Sequence, residues 1–156
     1  MNREALHTVL RSLTHGIYVL GTGRGAEEHL ATVSWATQVS AEPPMVAVAL
    51  HRESRAAARA TASQGFTLSP LAASGTALAS RLGRPAAPAS KLGGVRVEAS
   101  PVLGLPLPTE ATGWLECRIA SQLVTGDHVL LLGAVVDAGT RRSEPTLLLR
   151  ETGWRY

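Results

Sequence analysis

Ser54 and Arg55 stand side by side where a strand-like run ends and a helix-like run begins, with Arg59 one turn further on. A helix start offers free N–H groups and a partial positive charge. A hydroxyl and a guanidinium added to it can hold a phosphate. Read alone, the same residues are an ordinary helix cap with surface arginines. Upstream, Thr32, Ser34, Trp35, Thr37 and Gln38 alternate along an extended run. Half-buried hydroxyls and amides need partners, which a ligand rich in hydrogen-bonding atoms would supply. The other reading is a solvent-facing polar strand with Trp35 in the core. His128 follows Gly126-Asp127. An imidazole there can steer a substrate or a proton, and the tripeptide is equally a plain hairpin turn.

Other chemistries find no support in the residues. His7, His15, His29 and His51 form no ligand-spaced pairs, and Cys117 is the single cysteine, so no structural metal is expected. There is no G-x-S-x-G, no phosphate-binding P-loop and no G-x-G-x-x-G after a strand. Gly21-Thr22-Gly23-Arg24-Gly25 joins two strand-like runs and opens no helix, so it reads as a turn. A nicotinamide dinucleotide would have to bind here without a Rossmann unit.

The elements that must carry these residues fit one domain, 1–156. The hydrophobic share is 45% and the charged share 17%, enough to build a core and too apolar for a disordered chain. The net charge of +3 comes without a basic stripe interleaved with aromatics, which argues against nucleic acid. No apolar run reaches the ~18 residues of a membrane span, and Met-Asn-Arg-Glu carries no signal pattern, so a cytoplasmic protein is expected. Heavy use of Ala, Arg and Gly suits a GC-rich bacterial genome. Cys117 sits in an alternating stretch and reads as a small core hydrophobe.

Leu6, Val9, Leu10 and Leu13 repeat at helical spacing and predict an opening helix that stops before Gly16. Strands are expected over 17–20, 29–38, 45–50 and 66–68, with Glu42-Pro43-Pro44 as a turn before the third. Ser54 is expected to cap a helix to about Ala62, and Ser74 a second to Leu82. Residues 83–94 read as a long loop, and Pro101, Gly104, Pro106 and Pro108 reduce 95–107 to edge or loop. A long strand from Trp114 to Val124 should turn at Gly126-Asp127 into another over 129–137, with Leu147 to Leu149 closing the sheet. Seven or so strands and few helices predict a mainly β barrel.

Ser34 to Leu50, S-W-A-T-Q-V-S-A-E-P-P-M-V-A-V-A-L, resembles a segment of the FMN-binding split barrel of the flavin reductase-like family. That family carries a polar strand, a Pro-Pro turn and a V-x-V strand in this order. His51-Arg52-Glu53-Ser54-Arg55 resembles its polar loop, Gly65 to Ser69 its next strand, Gly126-Asp127-His128 its late turn and Gly153 to Tyr156 its terminal aromatic strand. The likeness runs from about Leu6 to Tyr156. It implies a split β-barrel with a few short flanking helices, acting as an NAD(P)H-dependent flavin oxidoreductase.

The resemblance implies FMN, or FAD in its place, with NAD(P)H as reductant and no protein residue as general acid or base. It assigns flavin binding to Thr32, Ser34, Trp35, Thr37, Gln38, His51, Ser54, Arg55 and Ser69, and nicotinamide binding to His128. With it, phosphate binding is the preferred reading of Ser54 and Arg55. It also implies a homodimer, in which Trp154 to Tyr156 are candidate interface residues, and a partner flavin-dependent monooxygenase or another electron acceptor. Two positions depart from the family, Ala56 where Thr is frequent and Ser69 where Asn is frequent, and both lose hydrogen-bonding capacity. They leave room for a specialised flavin enzyme acting on a small metabolite. A flavin or haem carrier without turnover is the remaining alternative. The Gly126-Asp127 turn is expected across the barrel from the phosphate loop.

Overall fold

The structure is a computed structural model, and it describes residues 1–84 and 92–154. Helix α1 is Arg3–Ser12, followed by strands β1 (Tyr18–Thr22), β2 (His29–Val33), β3 (Ala36–Ala41) and β4 (Pro44–His51). Helix α2 (Arg55–Ser63), strand β5 (Gly65–Pro70) and helix α3 (Thr76–Gly83) come next. Strands β6 (Val97–Ala99) and β7 (Pro106–Pro108) make a small ribbon, and β8 (Gly113–Thr125) and β9 (His128–Thr140) a long hairpin.

Seven strands form one antiparallel sheet in the order β2-β1-β5-β8-β9-β4-β3. The two strands that end this order, β2 and β3, are consecutive in the chain and are separated by Ser34 and Trp35 alone. The sheet must therefore curl until its edges meet along the chain. Leu20 of β1, Val33 of β2, Val48 of β4, Phe66 of β5, Cys117 of β8 and Leu131 of β9 meet in one interior. That is a split barrel: covalently continuous at the β2–β3 step, with the sheet order broken there. The run expected as one strand over 29–38 is two strands for this reason.

Alternation explains the two cores. Leu20 turns into the barrel, while Val19 turns outward to a second cluster with Leu30, Leu71, Leu78 and Leu82 under α3. Both faces of β1 are buried, which is why it reads as a continuous apolar run. Helix α2 adds Ala56, Ala57 and Ala60 to the barrel interior. Small side chains let that helix sit close. Gly133 of β9 serves the same end, since a Cβ there would come within 2.9 Å of the Cys117 Cβ and collide with the Phe66 ring. Burial pushes the Cys117 thiol up to about 12, aided by neighbouring Glu116, so it is an inert core group.

Ser54 caps α2 as the sequence implies, accepting from the Ala57 N–H at 3.2 Å. Ser74 does not cap α3: a 3₁₀ turn over Ala73–Gly75 intervenes, and the cap position is Gly75 with no side-chain bond. Leu147 to Leu149 do not close the sheet, because only isolated bridges form there, Gly16 with Leu148 and Ala72 with Thr146. The Pro-rich 95–107 segment is the β6–β7 ribbon, with Leu103, Leu105 and Leu107 buried inward. Most of the loop expected at 83–94 lies outside the described residues. Glu42–Pro43 is a cis peptide in the turn before β4.

Candidate flavin cleft

The β2–β3 step leaves a cleft of about 730 Å³ between the end of β2, the end of β4, the start of α2, the end of α3 and the start of β9. That volume lies within the range of roughly 300–1,000 Å³ usual for cofactor sites. Seven of the residues singled out in the sequence line it: Thr32, Ser34, Trp35, His51, Ser54, Arg55 and His128. They come from three separate stretches of chain.

One wall is the start of α2. The amides of Ala57 and Ala58 are taken by the Ser54 side chain and carbonyl. Those of Arg55 and Ala56 have no partner among the described residues. Two open N–H groups at the positive end of a nine-residue helix are suited to an anion. The Ser54 hydroxyl is half-buried and can still donate, and Arg55 is exposed with no ion pair among the described residues. Arg59 is engaged elsewhere, paired with Glu27 at 2.5 Å. The methyl of Ala56 is buried in the barrel, which gives the departure at this position a packing role.

The opposite wall is aromatic. Trp35 is 42% exposed, and its ring centroid lies 4.8 Å from that of His128, tilted by 37°. His51 and His128 are direct partners across β4 and β9 and meet edge-on at 5.7 Å. His128 Nδ1 lies 2.6 Å from Asp127 Oδ1. That hydrogen bond is the largest cause holding the exposed Asp127 carboxyl below its ordinary value. With Nδ1 engaged, Nε2 is the ring nitrogen left for a ligand.

The hairpin turn is not across the barrel from the α2 loop. The Arg52 N–H donates to the Asp127 carbonyl at 3.0 Å, so loop and turn are neighbours. The β4–β9 register dictates this, since His51 and His128 end their strands side by side.

Three assigned residues lie elsewhere. Thr37 and Gln38 line a separate apolar hollow with Tyr18, Met45 and Leu115. Gln38 Nε2 donates to the Ser40 carbonyl at 3.1 Å. The alternation that grouped them with Trp35 is interrupted at Ser34-Trp35, where the chain passes from one sheet edge to the other. Ser69 is fully buried opposite Val19, and its hydroxyl has no partner among the described residues. It is not in the cleft. Thr32 lines the cleft, but its hydroxyl donates to the Ala79 carbonyl at 2.7 Å, tying β2 to α3. His29, Ala49, Leu82 and Arg84 also line the cleft and carried no signal by spacing. Arg84, just past the last turn of α3, is the one that a search for helix-end cations could have found.

Among the described residues no three His, Cys, Asp or Glu side chains gather in a metal-ligand group. No helix among them is long and apolar enough to cross a membrane.

A family model described as a flavin reductase like domain matches residues 10–155. The chain is 30% identical over 144 residues to a flavin reductase (NADH) of Kitasatospora aureofaciens, covering 91% of this chain and 74% of that one. It is 27% identical over 154 residues to the reductase component of a 4-hydroxyphenylacetate 3-monooxygenase of Thermus thermophilus, covering 98% and 95%. Its fold superposes with a TM-score of 0.87 on the NADH:FAD oxidoreductase SgcE6 of Streptomyces globisporus, at 27% identity, covering 99% of this chain and 92% of that one.

Proposed function

The chain belongs to the flavin reductase-like family, and from that membership we propose that it is an NAD(P)H-dependent flavin oxidoreductase whose flavin lies in the cleft at the β2–β3 step. The observation that carries this placement is the convergence of an open helix N-terminus and an aromatic wall on one cleft. Ser54, Arg55 and the Arg55 and Ala56 amides hold the phosphate end. Ser34, Trp35 and His51 lie against the ring system, and His128 offers Nε2 to the nicotinamide carboxamide. The flavin supplies the hydride-accepting chemistry. The chain's own residues bind and orient, and none is asked to act as general acid or base.

FMN is the simplest ligand for this arrangement, since one phosphate matches one helix start. By analogy with the Thermus reductase component, reduced flavin leaves for a partner monooxygenase or gives its electrons to another carrier. A cytoplasmic setting belongs to the same reading, supported by a lone cysteine kept as a buried thiol.

The test is anaerobic and aerobic NAD(P)H oxidation with added flavin. Steady oxidation that depends on flavin is the expected result. Flavin retained through purification without any NAD(P)H oxidation would instead make the protein a carrier. His128→Ala should raise the KM for NAD(P)H roughly tenfold, the cost of one hydrogen bond to an oriented ligand. Unchanged KM and kcat would reduce His128 to a turn residue.

We also propose a homodimer, on grounds that differ from the sequence reading. Leu103, Leu105 and Leu107 around β6 and β7 are buried and leave only Val102 exposed there among large apolar side chains, and Trp154 is half-buried against the α3 cluster, with Arg155 and Tyr156 outside the described residues. Exposed apolar side chains remain on the β8–β9 hairpin at Leu123 and Val124 and, on a helix, on α1. Helix α1 buries no residue, and Val9, Leu10 and Leu13 are 63%, 50% and 55% exposed. A ten-residue helix is marginal in water without packing, so a second copy is the cover we propose. Light scattering at micromolar protein should give about 33 kDa, twice the 16.3 kDa chain; a monomer would refute it.

A further inference from the structure

His51, the last residue of β4, and His128, the first of β9, are direct cross-strand partners, and both line the cleft. Their rings meet edge-on with centroids 5.7 Å apart. Each ring turns its Nδ1 to its own loop, and the two loops treat that atom in opposite ways. The Glu53 N–H donates to His51 Nδ1 at 3.3 Å. That nitrogen is an acceptor, so the proton of the neutral His51 ring sits on Nε2. Asp127 Oδ1 lies 2.6 Å from His128 Nδ1. The Asp127 carboxyl is held below its ordinary value, first by this hydrogen bond, so it is ionised and can only accept. Nδ1 of His128 therefore carries the proton, and Nε2 of the neutral ring keeps its lone pair. His51 offers the cleft a donor, and His128 beside it offers an acceptor.

A donor and an acceptor on adjacent strands match a group that has both. A primary amide is such a group: its oxygen accepts and its NH2 donates. Resting on the oxidoreductase reading above, we propose that His51 is a specificity-determining residue, its Nε2–H on the oxygen of the nicotinamide carboxamide while His128 Nε2 takes the NH2. Two contacts of opposite polarity fix which way the carboxamide is turned. Turning it over would set donor against donor and acceptor against acceptor, leaving both unmade. Asp127 and the Glu53 amide are positioning groups, because each fixes the proton of one ring. A dinucleotide with a group lacking N–H in place of the amide loses the His128 contact and keeps that of His51. The flavin ring also carries an N–H next to a carbonyl, on its pyrimidine edge, and the experiment separates the two.

The experiment compares NAD(P)+ with its 3-acetylpyridine analogue as inhibitors of NAD(P)H oxidation, with FMN as acceptor. The analogue keeps the carbonyl and has a methyl group in place of NH2. In the wild type its inhibition constant should be roughly tenfold higher, the loss of one hydrogen bond to an oriented ligand. His128→Ala should weaken NAD(P)+ by that factor and the analogue much less, since the analogue has no hydrogen for Nε2. His51→Ala should weaken both dinucleotides alike, and His51→Gln, which keeps an N–H, should recover part of the loss. Asp127→Ala frees the His128 proton to sit on either nitrogen and should narrow the gap between the two dinucleotides. The proposal is overturned if the wild type binds both equally, or if His51→Ala leaves both at wild-type affinity. It is also overturned if His51→Ala weakens FMN as much as it weakens NAD(P)+, which would put the histidine pair on the flavin edge. A wild type without any flavin-dependent NAD(P)H oxidation would sink the oxidoreductase reading, and this inference with it, and is distinct from all of these.

Discussion

Replacing Glu116 by Ala is expected to lower the melting temperature by roughly 10 °C, the largest effect of any single change considered for this chain. Glu116 is fully buried on β8. Its neighbour Cys117 turns into the barrel, so Glu116 turns outward, beneath the segment that leads into β7. There its carboxyl accepts from the Ser100 hydroxyl, the Leu103 N–H and, at 3.0 Å, the Val102 N–H. Ser100 in turn accepts from the Leu105 N–H at 2.8 Å. On the neighbouring strand Thr67 donates to the Pro106 carbonyl at 2.8 Å, so one polar strip pins the whole ribbon.

Removing the carboxyl leaves three donors without their acceptor, two of them buried and the Val102 N–H part-buried. Each such orphan costs about 1–3 kcal/mol, so the loss is on the order of 3 kcal/mol or more before any cavity is counted. A domain of this size moves about 2–4 °C per kcal/mol. Glu116→Gln keeps one acceptor oxygen and should lose less. Thermal unfolding of both variants is the measurement. A change under about 2 °C for Glu116→Ala would mean that water or the segment itself replaces the carboxyl.

The second large effect is on flavin affinity. Ser54→Ala combined with Arg55→Ala should weaken FMN binding at least tenfold and up to roughly a hundredfold. One or two charge-assisted bonds at about 1.5–3 kcal/mol each are removed, and each 1.4 kcal/mol is a factor of ten. Riboflavin has no phosphate, so its affinity should be weaker in the wild type and unchanged by the substitutions. Ser54 also caps α2, and losing a cap costs about 0.5–2 kcal/mol of stability. Arg55→Ala alone keeps the cap and isolates the cation, so fluorescence titration of that variant separates binding from folding. Equal affinity for riboflavin and FMN in the wild type would return Ser54 and Arg55 to the role of a plain cap.

The α2 side of the cleft was legible because its signals are local. A cap residue, the helix it starts and the arginine beside it lie within a few positions, and Ser54 takes the place that its type and neighbours imply. The aromatic side was legible only as separate pieces. Trp35 and His128 lie far apart in the chain, and their contact at 4.8 Å follows from β4 pairing with β9 while β3 leaves the cleft. No spacing rule encodes that. Gln38 and Thr37 show the converse, because an alternation that looks continuous in sequence crosses from one sheet edge to the other after Trp35.

By itself, the sequence determined the local features: the apolar periodicities of the main strands and helices, the cap at Ser54, the tight turn at Gly126 and the lack of a Rossmann fingerprint or ligand-spaced pairs. These depend on neighbours in the chain and on the intrinsic geometry of each residue. The tertiary structure alone decided which strands share an edge, that the α2 loop and the hairpin turn are neighbours, and that Glu116 is spent on holding a ribbon. Those depend on ladder register and on what the curled sheet brings together, and both are set by burying two cores at once rather than by any local run of residues.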